Sequence, residues 1–144
     1  MRRLAVTAAS LATIAGVGLV AAQPGVAAGP GSVTLDAVLV GGNEVPDVGD
    51  PDGFGMATVT VNRFRRVCWE VRVRDVAPIT GAHIHAGPRG VSGPVVITLD
   101  PVDEGCTRTG RRVARMIREH PQQFYVNVHN DEFVAGALRG QLLS

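Results

Sequence analysis

The segment Val67-Cys68-Trp69-Glu70-Val71-Arg72-Val73-Arg74 alternates apolar and polar residues without a break. A period of two lines one side of a β-strand with Val67, Trp69, Val71 and Val73 and turns the other four outward. No helix buries such a stripe, because residues two apart lie on opposite sides of it. The chain must therefore build a sheet with one covered face. Other segments repeat the pattern. Val33, Leu35, Ala37 and Leu39 share one face, with Thr34 and Asp36 opposite. Ala57, Val59 and Val61 share another. Ala82 and Ile84 alternate with His83 and His85, and Val95, Ile97 and Leu99 with Val96 and Thr98. Residues 124–129 and 137–143 read as the last strands. Between Gly105 and Gly110 a turn-rich loop holds Cys106, and Val113, Met116 and Ile117 fit one short amphipathic helix stopped by Pro121. Six or seven strands with one short helix predict an all-β fold. The expected form is a small antiparallel β-sandwich or barrel, Greek-key-like.

The first residues are set aside from that fold. Arg2-Arg3, the apolar run from Leu4 to Val20 and the small-residue end Val26-Ala27-Ala28 have the three parts of a secretory signal peptide. We expect cleavage after Ala28, with Ala22 as the alternative site and a retained anchor helix as the alternative fate. Residues 1–28 are then the signal and residues 29–144 one domain, secreted or held in the cell envelope. Without Arg2 and Arg3, twelve of the 14 basic residues face 13 acidic ones. A near-neutral domain lacks the basic footprint that phosphate binding needs, so nucleic acid is excluded as a partner. No membrane association is expected once the signal is removed.

Cys68 and Cys106 are the only cysteines. An even count in an exported chain predicts one disulfide, with two free buried thiols as the alternative. Cys68 lies opposite the apolar stripe of its strand, so the bridge is expected to staple the sandwich from outside. The connection from Gly41 to Gly55 carries Glu44, Asp47, Asp50 and Asp52 among glycines and prolines. It reads as a solvated loop, because its spacing does not match an EF-hand calcium loop.

Three blocks, "LVGGNEVP", "TGAHIHAGPRGVSGPVVITL" and "FYVNVHNDEFVAGALRGQLL", resemble in order and spacing the signature blocks of the chordin-type (CHRD) domain family, over about residues 33–143. The sequence departs from that pattern at Asn130, Val134 and Ala137, where the family usually has Thr, a proline and an acidic residue. The resemblance implies an extracellular β-sandwich module, here a single-domain secreted bacterial member. The resemblance gives a fold and a compartment and supplies no reaction; with it we expect a binding or structural module whose partner is an extracellular protein or an envelope component.

The histidines carry the other chemistry. On a strand, His83 and His85 project to one face about 7 Å apart, and His129 shares a face with Asn127 on a later strand. If the two strands are neighbours, three imidazoles meet and leave an open coordination position. Such a set suits one copper ion, with zinc as the alternative. His120, before Pro121, is a helix-end cap by default and a candidate fourth ligand; Asp131 and Glu44 are further oxygen candidates. The pattern is similar to that of copper-zinc superoxide dismutase. A bridging histidine and a separate zinc cluster are missing, so dismutation remains a distant extension of metal binding. No Gly-x-Ser-x-Gly elbow is present, and Ser92 and Ser144 lack an evident base.

Overall fold

The computed structural model describes residues 31–144; the expected signal peptide lies outside the described residues. The strands are β1 (Ser32–Val40), β2 (Phe54–Asn62), β3 (Arg66–Arg74), β4 (Ile79–Ala86), β5 (Val95–Thr98), β6 (Glu104–Arg108), β7 (Phe124–Asn130) and β8 (Leu138–Gln141). One helix, α1 (Arg111–Glu119), precedes β7. All pairings are antiparallel, in the order β5-β4-β7-β8-β1-β2-β3-β6. The fold is all-β, as expected, but its two faces belong to one continuous curled sheet.

The curl follows from a seam. β1 and β2 pair along their whole length, Ser32↔Asn62 to Val40↔Phe54. β1 and β8 instead share the single ladder pair Val40↔Arg139 and one isolated bridge, Asp36↔Leu143. Four strands lie on each side of this seam, and their apolar stripes merge into one core. Leu35, Leu39, Val59, Val67 and Trp69 come from one half, and Ile84, Ile97, Val126, Val128 and Leu138 from the other. At the seam Gly140 lets the backbones touch: a Cβ there would lie 2.4 Å from the Val38 carbonyl oxygen.

The far edges, β5 and β6, are joined by a five-residue strap from Leu99 to Asp103. Leu99 N–H donates to Ala82 O at 2.9 Å, Val71 N–H to Asp103 O at 2.7 Å, and Trp69 Nε1–H to Pro101 O at 2.9 Å. The strap therefore bonds to both halves where the curl is open. Helix α1 adds buried Ala114 and Ile117 to the core, with Val113 and Met116 packed against it.

The segment expected as a loop around Cys106 is corrected to the edge strand β6, so the described residues hold eight strands rather than six or seven. β6 pairs with β3 from Arg66↔Arg108 to Glu70↔Glu104. No apolar alternation announces it, because its partly buried positions are Gly105 and Thr107. Gly105 lies under the Trp69 ring, which fills the place of a side chain. The disulfide Cys68–Cys106 is present, and it bridges residues directly opposite each other on β3 and β6. It lies on the outer side, opposite the apolar stripe, and ties an edge strand to its neighbour.

A bridge closing 38 residues of sequence separation restricts the unfolded chain. Replacing both cysteines with serine is expected to cost about 3–4 kcal/mol in urea unfolding. Amide exchange in β6 should rise more than in β1 or β2. An unchanged unfolding free energy would mean that the bridge adds nothing to the ladder.

Candidate functional site

On an ordinary sheet, residues opposite the core stripe face water. On β4, β7 and β8 they do not. His83 and His85, Tyr125, Asn127 and His129, and Arg139 and Gln141 all lie on the outer side. Yet Tyr125, Asn127 and Arg139 are only 2–3 % exposed. Three loops cover them: the one holding Glu44, the one from Gly87 to Gly93, and the one holding Val134 and Gly136. The half-sheet therefore has an apolar core on one face and a polar layer on the other.

Arg139 organises that layer. Its Nη2 donates to Pro88 O at 3.0 Å and to Val91 O at 2.9 Å, and its guanidinium stacks 3.5 Å from the Tyr125 ring centroid. A buried cation is tolerable here because carbonyl oxygens and a π-face replace its water. The two Nε2 hydrogens of Gln141 are shared among Gly87 O, Gln122 O and Phe124 O, and Gly93 N–H donates to the Tyr125 hydroxyl. Gly93 has no room for a Cβ, which would sit 1.7 Å from Ala86 O. Glu44 accepts from Asn127 Nδ2 and is 6 % exposed. Burial pushes its carboxyl up to about 7, against the opposing pull of the Arg139 charge and the Asn127 hydrogen bond.

β4 and β7 are neighbours, with His83 opposite Asn127 and His129 opposite Gly81. The structure therefore brings His83, His85 and His129 together, with one ring nitrogen from each within 4.8 Å of the others. Their hydrogen bonds assign the protons. His85 Nδ1 lies 2.8 Å from Gly93 O, and His129 Nδ1 lies 3.0 Å from Val134 O. A carbonyl oxygen only accepts, so both rings carry their proton on Nδ1 and a lone pair on Nε2. His83 Nδ1 then donates to His129 Nε2 at 3.1 Å. The His85 ring stacks on Tyr125, 4.8 Å between centroids, and its buried Nε2 meets no donor among the described residues.

All three imidazoles are held below the usual histidine range, chiefly by desolvation. The neighbouring imidazoles add to this at His83, and the bonds to Gly93 and Val134 oppose it at His85 and His129. Neutral rings tied by Nδ1–H to backbone carbonyls have the form of metal-ligating histidines. Tetrahedral bonds of about 2.0–2.1 Å place donor nitrogens roughly 3.3 Å apart. The His83–His129 contact already has that spacing, whereas the widest separation in the group, up to 4.8 Å, must close.

The other candidates are elsewhere. His120 is exposed and caps α1, its backbone N–H donating to Met116 O, and it is not one of the cluster. Asp131 is exposed in the turn after β7. Asp50 accepts from the Asp52 and Gly53 amides within its own loop, while Glu44 turns inward to Asn127. Sequence reasoning missed Arg139 and Tyr125. The available signal was their shared parity with Asn127 and Gln141 in the strand pattern.

A family model, the CHRD domain, matches residues 35–142. No curated protein and no solved structure matches the chain.

The carboxyl and the imidazoles act on stability with opposite signs. Between pH 4.5 and about 7 folded Glu44 holds a proton that the unfolded chain has released, so its contribution is full below that window and lost as pH rises through it. The histidines are depressed, so their contribution is present above 6.5 and lost as pH falls through their folded values. Glu44→Gln removes only the first effect. The Tm of this variant relative to the parent should rise from about pH 5 to about pH 8. A pH-independent difference would rule out a buried, protonated Glu44.

Proposed function

The chain belongs to the CHRD domain family, and from that premise we propose that it acts outside the cytoplasm as a binding or structural module whose partner is an extracellular protein or a cell-envelope component. The observation that carries this is the loop from Gly87 to Gly93. Pro88, Arg89 and Val91 are exposed, and the loop is fixed from below by Arg139, Gln141 and Tyr125. An exposed loop on a rigid sheet is the usual form of a recognition surface. The disulfide suits an oxidising compartment, and among the described residues no helix is long and apolar enough to cross a membrane.

For this function, the exported protein should bind envelope preparations of its host saturably. Arg89→Glu reverses a charge at the loop tip, where Arg89 Nη1 donates to Asn43 Oδ1. It should weaken binding by roughly tenfold, about 1.4 kcal/mol, with Tm unchanged. Only non-saturable binding, indifferent to the substitution, would defeat the proposal.

A second function, transition-metal binding, rests on one observation: the buried His85 Nε2 lone pair beside His83 and His129. The donor set fits one copper ion, with zinc as the alternative. Two rings are already in the required tautomer, and the third needs only to move its proton from Nδ1 to Nε2. The protein should take up one equivalent of Cu(II) in equilibrium dialysis. His83→Ala should weaken this by at least about a hundredfold, more than outer-shell changes usually do. Failure to bind Cu(II) or Zn(II) at micromolar protein would reject the site.

A further inference from the structure

We infer that an ion held by His83, His85 and His129 keeps one coordination position turned toward a surface cavity, where it takes a small monoanionic ligand. This rests on the metal-binding function just proposed.

The three donors do not surround a point evenly. His83 and His129 form part of the wall of a cavity of about 540 Å³, together with Thr80, Thr98, Asp100 and Val134. His85 is not in that wall; its ring lies against Tyr125, and its Nδ1 is turned to Gly93. Protein nitrogens thus approach from beneath and from the cavity wall. Among the described residues the cluster contains no fourth histidine, cysteine or carboxylate. The remaining direction leads into the cavity. Three protein donors with one position left for a small molecule is the arrangement of zinc and copper centres that handle ligands, whereas structural sites are closed.

Charge selects the ligand. A ligating imidazole is neutral, so three of them leave a divalent ion with its full charge at a half-buried position. Asp100 is the one acidic residue in the cavity wall, and it is exposed. A monoanion on the ion completes the compensation, whereas a bulky polyanion would crowd Asp100. Thr98 stands directly beside His83 in the β4–β5 register and on the same face of the sheet, so its hydroxyl is placed at the entrance.

Azide is a suitable probe, since it binds copper and reports through its own absorption. The protein loaded with one equivalent of Cu(II) should develop a saturable azide-to-copper charge-transfer band, one azide per ion, with a changed EPR spectrum. Thr98→Phe keeps a strand-forming residue on an exposed edge. It should retain the copper stoichiometry but bind azide roughly tenfold more weakly, by blocking the entrance. Stoichiometric copper with no azide response would overturn the open position while leaving the metal site intact. An azide response that Thr98→Phe does not weaken would place the ligand outside this cavity and overturn the assignment. Loss of copper binding itself would remove the metal site and this inference with it.

Discussion

A cation buried on the outer side of a sheet governs this fold. Arg139 is 2 % exposed, yet it stands on the face that strand alternation gives to solvent. It is accommodated there because loop backbone comes to it: Pro88 and Val91 turn their carbonyl oxygens to the guanidinium, and the Tyr125 ring lies beneath it. Removing either partner leaves a buried polar group without compensation, so loop and arginine hold each other in place. The same loop carries Gly93, whose carbonyl oxygen fixes the His85 tautomer. Loop position, ring orientation and the direction of a lone pair are thus successive consequences of one desolvated charge.

The parts of the fold legible in the sequence are those with one wet face. β1, β2 and β3 alternate cleanly because Thr34, Asp36, Glu70 and Arg72 do meet solvent. β6 is illegible because Gly105 and Thr107 stand where an apolar residue would give the signal, the Trp69 ring having taken the space at Gly105. The polar layer is illegible for another reason. Tyr125, Asn127, Arg139 and Gln141 obey the outward parity, and parity tells which side a residue takes, not whether a loop will cover it. The three loops that do so come from distant parts of the chain.

The histidine cluster is an intermediate case. That His83 and His85 share a face follows from two-residue spacing alone. That His129 joins them requires β4 and β7 to be adjacent, which local sequence does not encode; it follows from a topology in which β5, β6 and α1 intervene in the chain but not between those strands. The hydrogen-bonded carbonyls of Gly93 and Val134 are less legible still, since backbone oxygens leave no mark on side-chain pattern. Val134 contributes to the site through its backbone carbonyl alone.

The seam between β1 and β8 has a consequence for how the molecule is assembled. It joins the first and last described strands at the centre of the sheet, by the pair Val40↔Arg139 and the bridge Asp36↔Leu143. These are contacts of high sequence separation, and they form slowly because a long loop must close before they repay its entropy. The hairpins on either side have local partners and gain their ladders early, but neither half covers its apolar stripe without the other. Arg139, which organises the outer layer, is delivered by the same final strand. The apolar core and the polar outer layer therefore both wait on one late event, and a nascent chain short of β8 has neither.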